Sequence, residues 1–329
     1  MIRRKNLSFI TVMVLTFVLT IVSPNLAAEG SATRLTLGTS TSGGTYFVLG
    51  GGWAKVMGEH LSGVNISVQE GGGPATNIQL IQQGKMDLGF ATVNVAYQGW
   101  HGLDWAGGVK YDKIRSIFPM YASYLQIYTL DKNPITSIHD LEGMHVTTGT
   151  PGNTSEIAGK AVLEVLGITP KEISMLSASG QIDSLKDGIV DANFTVTGLP
   201  GPFMLDLETT HKARLIGLSD ADLEKITKEY PYFFVGIIPK GTYKNQQEDI
   251  KTVAFWNITI ASEDLPDDLV YDLVKATFDN KEALITVNPA IAQLSPENLK
   301  YCIIPLHPGA VKYYREVGVE IPDNLLPPN

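Results

Sequence analysis

Gly38-Thr39-Ser40-Thr41-Ser42-Gly43-Gly44-Thr45-Tyr46 joins a short apolar run, Leu35 to Leu37, to a segment whose apolar residues Leu49, Trp53, Val56, Met57 and Leu61 recur with the helical period. A strand that turns through glycines and small hydroxyl residues into a helix is the building unit of an open α/β sheet. Helix N-termini leave backbone N–H groups unpaired and carry partial positive charge, and small residues let a ligand approach that backbone. No Asp or Glu follows until Glu59, so nothing in the first turn offsets the dipole, and the turn reads as an anion seat. Gly38, Gly43 and Thr45 fall in the register of a phosphate-binding loop, but Gly44 stands where the lysine belongs. Nucleotide hydrolysis is therefore not expected. A G-x-S-x-G nucleophile elbow fails as well, because Gly38, Ser40 and Gly43 are spaced one residue too long.

Arg3, Arg4 and Lys5 precede an apolar run from Leu7 to Val22 and then Ser23-Pro24-Asn25-Leu26-Ala27-Ala28. This is the pattern of a secretory leader, cleaved near Ala28, so residues 1–28 are expected to be removed and the protein to work in the periplasm. Without the leader, 22 positive residues face 34 negative ones, a net charge near −12. Such a surface disfavours nucleic acid and anionic membrane, and an anionic ligand has to be attracted by a local feature. The single cysteine, Cys302, can form no internal disulfide, so the fold is held by its core. About 300 residues suffice for two domains.

Strand-like and helical runs alternate along the chain. Ile66 to Val68 leads to a helix with Ile78, Leu80 and Ile81, and Leu88 to Ala91 follows as a strand; later His145 to Thr148 leads to a helix with Ile157, Ala161, Val162 and Val165. Gly84-Lys85-Met86-Asp87-Leu88-Gly89-Phe90 and Gly188-Ile189-Val190-Asp191-Ala192-Asn193-Phe194 share Gly-x-x-Asp-x-x-Phe, and Gly38-Thr39 and Gly149-Thr150 occupy equivalent strand ends. Two lobes built to one plan account for both pairs, and the ligand site is expected in the cleft beyond the strand ends. Apolar stretches Ile117 to Leu130 and Val253 to Ala261 are expected to cross between the lobes as a hinge. Lobe one then comprises residues 29–125 and 250–329, and lobe two residues 126–249. Asp267 to Asp279 is expected as a lobe-one helix with an acidic, ordinarily capped start.

The motifs resemble those of the TAXI branch of solute-binding proteins, the exported receptors of TRAP transporters, over essentially the whole mature chain. The resemblance rests on Gly38 to Tyr46; on Gly72-Gly73-Pro74-Ala75-Thr76-Asn77; on Asp87-Leu88-Gly89-Phe90 running into Val95-Ala96-Tyr97; on Gly149-Thr150-Pro151-Gly152; and on the tail from Ile304 to Glu316. It implies an α/β, type II periplasmic-binding-protein fold, two α/β lobes joined by a hinge of crossing strands. It also implies capture of a small organic anion or amino acid for a TRAP membrane permease, with no enzymatic activity, no cofactor and no metal. Carried over by motif, the ligand-facing positions are Thr39, Ser40, Thr41, Ser42, Gly43, Gly44, Thr45 and Tyr46; Gly73 and Asn77; Thr92, Asn94 and Tyr97; Pro151, Gly152, Asn153, Thr154 and Ser155; and Thr197 and Gly198. The chain departs from the family pattern at Thr92-Val93-Asn94, where relatives commonly have Gln-Ser-Asp, and at Asn153-Thr154-Ser155, where they commonly read Ser-Gly-Thr.

Few cations lie within these motifs, so a carboxylate would be held by backbone N–H groups and hydroxyls. Asn94 in place of an acid disfavours an α-ammonium group, which favours a dicarboxylate or keto acid over a glutamate-like amino acid. Asn94 also suits a helix N-cap for Val95 to Trp100, and the two roles are compatible. Among the aromatics, Tyr46 and Tyr97 lie inside motifs and are expected to wall the cleft. The six histidines show no close metal-ligand spacing, His307 is expected to be structural, and Glu156 to offset the lobe-two helix end. A monomer is expected. The alternatives are an exported sensor that reports the same ligand to a signalling protein and a two-lobed secreted hydrolase, for which no Ser-His or Cys-His arrangement is evident.

Overall fold

The computed structural model describes residues 32–42 and 44–328; the leader expected over residues 1–28, and Gly43, lie outside the described residues. The opening unit forms as read. β1 (Thr33–Gly38) turns into α1 (Thr45–His60), returns as β2 (Val64–Gln69), and continues through α2 (Pro74–Gln82) to β3 (Leu88–Thr92) and α3 (Val93–His101). β1 lies between β2 and β3, parallel to both, with Leu37 opposite Val68 on one side and Leu88 on the other. α1 buries Leu49, Trp53, Val56 and Met57, the residues of its 3.6-period stripe.

β4 (Ile114–Leu130) begins three residues before the predicted stretch. The second half then repeats the plan: β5 (His145–Thr148), α4 (Thr154–Leu166), β6 (Glu172–Met175), α5 (Ala178–Lys186) and β7 (Ala192–Thr197). It adds α6 (Pro202–Thr210), β8 (Ala213–Ile216), α7 (Asp220–Glu229) and β9 (Phe234–Ile238) before β10 (Ile250–Ser262). The strand order is β2-β1-β3-β10-β4-β7-β5-β6, with β8 on β4 and β9 on β10. β4 and β10 belong to both halves. Asn257–Ala261 of β10 pairs with β3 and Ile250–Ala254 with β9, while Tyr124–Tyr128 of β4 pairs with β7. The ladder between β4 and β10 is irregular midway, between Trp256 and Ile258 and again between Thr259 and Ile260.

The internal repeat has a physical basis. Gly84 and Gly188 both stop their helices in the left-handed region, at φ 67° and 71°. Three residues on, Asp87 accepts hydrogen bonds from the Thr36 N–H at 2.7 Å and hydroxyl at 2.8 Å, and Asp191 accepts from the His145 N–H at 2.9 Å. In each half the aspartate clamps the parallel strand beside it. Phe90 and Phe194 then fill equivalent core positions and are fully buried.

The chain closes with α8 (Asp267–Asp279), α9 (Lys281–Val287) and α10 (Pro308–Glu316). Trp53 Nε1 donates to Thr277 Oγ1 at 2.9 Å, which ties α8 to α1 and hence to the first half. The cap of α8 differs from expectation: its N-cap is Pro266, which has no side-chain acceptor, and Asp267 and Asp268 in the first turn supply the negative charge. His307 caps α10 by accepting the Gly309 N–H on Nδ1 at 3.2 Å and is fully buried. Burial holds its pKa below the ordinary 6.5, outweighing the opposing pull of Asp267. The neutral ring thus contributes stability that is complete above the unfolded value and is lost as pH falls below 6.5 towards the lower folded value. Urea unfolding measured from about pH 7.5 down to about pH 5 should show falling stability. His307→Asn, which keeps a capping side chain but cannot protonate, should flatten that decline.

Candidate functional site

Between the halves lies a cavity of about 90 Å³. The first half lines it with Ser40, Thr41, Gly44, Thr45, Tyr46, Pro74 and Thr92, and the crossing strands with Tyr121, Ser123 and Asn257. The second half contributes Gly149, Thr150, Asn153, Thr154, Ser155, Leu176, Ser177, Ala178, Gln181, Thr195, Val196, Thr197, Gly198 and Phe203. Among the described residues, every polar side chain on this wall is a hydroxyl or an amide, and none is charged.

Helix starts meet the cavity from both halves, at Gly44 for α1, Thr92 for α3, Asn153 for α4 and Ser177 for α5. They differ in how far the chain itself satisfies them. In α4 the Asn153 side chain accepts from the Ser155 N–H at 2.9 Å, Glu156 lies in the first turn and accepts from the Gly152 N–H at 3.3 Å, and in α5 Ser177 accepts from Gly180. In α1 and α3 no side chain caps the first turn and no acid lies in it. Among these four starts the uncompensated positive ends therefore belong to the first half, where they favour an anion.

The halves touch across the cavity mouth. Thr92 and Thr154 share a hydroxyl–hydroxyl bond of 3.1 Å, and the Ala75 N–H donates to the Gly152 carbonyl at 3.4 Å. Gln98 Nε2 donates to the Tyr232 hydroxyl at 2.7 Å. The cleft is thus closed. At its hinge end the Tyr46 hydroxyl donates to Asn257 Oδ1 at 2.5 Å, and Asn257 Nδ2 donates to the Tyr121 carbonyl and to Ser123 Oγ at 2.8 and 2.7 Å. Burial raises the pKa of both the Tyr46 and Tyr121 hydroxyls, so both stay protonated across the physiological range.

Of the positions carried over by motif, Ser40, Thr41, Gly44, Thr45, Tyr46, Thr92, Asn153, Thr154, Ser155, Thr197 and Gly198 share this wall. The others lie elsewhere. Thr39 is fully buried and its hydroxyl donates to the Gln69 carbonyl at 2.8 Å. The Ser42 N–H is taken by the Glu70 carboxylate at 2.7 Å. Asn77 Nδ2 bridges the Thr39 and Phe90 carbonyls at 3.1 and 2.9 Å, holding the glycine-rich turn against β3 from behind the wall. Gly73 is the N-cap of α2, and Pro151 and Gly152 form the turn that meets it, Gly152 at φ 76° with its carbonyl given to Ala75. Asn94 is fully buried within α3, and the cap of that helix is Thr92, so Asn94 serves as neither cap nor cavity wall. Tyr97 packs on His101 and Tyr232, with ring centroids 4.3 and 5.7 Å away, and does not reach the cavity. Motif reading passed over Tyr121, Ser123 and Asn257, whose only signal was a polar atom inside an otherwise apolar run.

Residues 37–318 match the NMT1-like family. The chain belongs to the NMT1-like family. Among solved structures, MatC from Rhodopseudomonas palustris with bound malate is similar at a TM-score of 0.56 and 13% identity, covering 86% of this chain and 96% of that one. The periplasmic binding protein BugD is similar at a TM-score of 0.51 and 15% identity over 87% and 98% of the two chains. XAC2383 from Xanthomonas citri bound to chloride ion is similar at 0.50 and 11% over 86% and 95%. At these identities the likeness shows the fold: this NMT1-like chain has the two-lobed architecture of periplasmic binding proteins.

The closed cleft gives the first prediction about the site. Thr92→Val removes the hydroxyl bridge to Thr154 and leaves a buried partner unpaired. Ligand affinity should fall roughly three- to tenfold, as expected for one lost neutral hydrogen bond. Small-angle scattering of the ligand-free protein should shift towards a more open form, and unchanged affinity and scattering would show that the bridge adds nothing to closure.

Proposed function

We propose that the chain is an extracytoplasmic solute receptor of the TAXI type, which closes over a small organic anion and hands it to a TRAP permease. The observation that carries this reading is the uncharged cavity between two halves of one plan, with two bare helix N-termini on its wall. In this reading the leader is cleaved near Ala28 and the mature protein is a periplasmic monomer. Residues 29–125 and 250–329 form one lobe and residues 126–249 the other. The ligand's carboxylate rests on the helix starts at Gly44 and Thr92 among the hydroxyls of Ser40, Thr41 and Thr45, and Asn153 to Ser155, Thr197 and Gly198 close on it. No residue is assigned a catalytic role. A dicarboxylate or keto acid is favoured over an amino acid, because an ammonium group would find no carboxylate among the described residues of the wall. The malate of MatC sets the first probe.

A thermal-shift screen of the exported protein against dicarboxylates, keto acids and amino acids tests the reading. At about 100 times Kd a ligand adds roughly 2.7 kcal/mol of stability, and a keto acid or dicarboxylate should give that shift where the matching amino acid does not. Failure of every small acid to stabilise the protein would end the proposal. A paired substitution tests the seat itself. Thr41→Asp with Thr45→Asp puts negative charge at the start of α1, which suits the helix but repels an anion. The ligand-free protein should be as stable as before or more so, and the ligand-induced shift should vanish.

A further inference from the structure

Tyr121, 1% exposed, places on the cavity wall a hydroxyl donor with no acceptor among the described residues. It lies in β4 where the ladder to β10 is irregular: β10 advances two residues, Trp256 to Ile258, while β4 covers three, Ala122 to Pro119. An extra residue of this kind bends a strand and re-aims a side chain. The Tyr121 ring is 1% exposed, forms part of the cavity wall, and would lie 3.8 Å from a Cβ placed on Gly198. Its carbonyl accepts from Asn257, but its hydroxyl makes no hydrogen bond to any other described residue. Neither the Tyr46 hydroxyl proton nor either Asn257 amide proton is directed at it. The Tyr46 proton is given to Asn257 Oδ1, and both Asn257 amide protons go to the Tyr121 carbonyl and Ser123 Oγ.

The geometry points to Tyr121 as a specificity-determining ligand contact, whose hydroxyl donates to a neutral oxo or hydroxyl oxygen on the carboxylate that the helix ends hold. This rests on the receptor reading above. A buried polar group is costly unless paired, so a ligand that supplies the missing acceptor gains over one of the same shape without it. The hinge end of the cavity is neutral throughout. It therefore sorts acids by a single uncharged oxygen, where a carboxylate or guanidinium would sort them by charge.

Calorimetric titration of the exported protein with two pairs tests this: 2-oxobutyrate against butyrate, and malate against succinate, each pair differing by one oxygen. The wild type should bind the oxygen-bearing member about tenfold more tightly, and Tyr121→Phe should erase that preference while leaving the other member unchanged. Should Tyr121→Phe fail to fold, Tyr121→Leu removes the same hydroxyl with a smaller side chain, and the ratio within each pair is read in the same way. Equal affinities within both pairs for the wild type, or a preference that survives loss of the hydroxyl, would overturn the inference and leave the receptor reading standing. If neither pair binds the wild type at all, the inference is overturned, and the receptor reading falls with it only when every acid of the thermal-shift screen also fails.

Discussion

Both halves of the molecule hang from one antiparallel pair of strands, β4 and β10. β10 is hydrogen-bonded to β3 of the first half along one stretch and to β9 of the second along another, and β4 joins β10 to β7 of the second half, so neither half-sheet can detach without breaking a ladder. The pair is irregular only near its middle, where the two halves part. There the chain buries Asn257, and burying an amide requires partners. Asn257 finds them in Tyr46 of α1 and in Tyr121 and Ser123 of β4, so one side chain ties the first helix to the hinge and forms the floor of the cavity.

The electrostatics of the cleft follow from which helix ends the chain satisfies for itself. The second half spends Asn153, Glu156 and Ser177 on its own backbone N–H groups. In the first half no side chain caps α1 or α3, and the Glu70 carboxylate takes only the Ser42 N–H in the turn before α1. In a chain that carries a net negative charge of 9, that local asymmetry is what makes room for an anion. A wall of hydroxyls and amides also lets hydrogen-bond count, more than net charge, decide between ligands.

Much of the scaffold was legible because it depends on periodicity and on residues with only one good use. The 3.6-period stripe of α1, the twin Gly-x-x-Asp-x-x-Phe segments and the long apolar runs each have a local cause that survives in the folded molecule. The glycine-rich turn was read correctly as a bare helix start, and Glu156 and His307 as structural groups. Thr39, Asn77, Asn94 and Tyr97 sit in motifs next to residues that line the cavity but do not line it themselves, because adjacent residues point in different directions. Asn77 turns its amide to two backbone carbonyls, and Tyr97 turns its ring to another aromatic.

By itself the sequence determined the α/β class, the doubled plan, the crossing strands and the uncapped start of α1, since each depends on the order and type of neighbouring residues. Tertiary structure alone decided which polar groups face the cavity. Tyr121, Ser123 and Asn257 lie more than 70 residues from the turn that opens the site. They reach it because an extra residue in β4 shifts the pairing with β10, and no local pattern in either strand records where that shift falls.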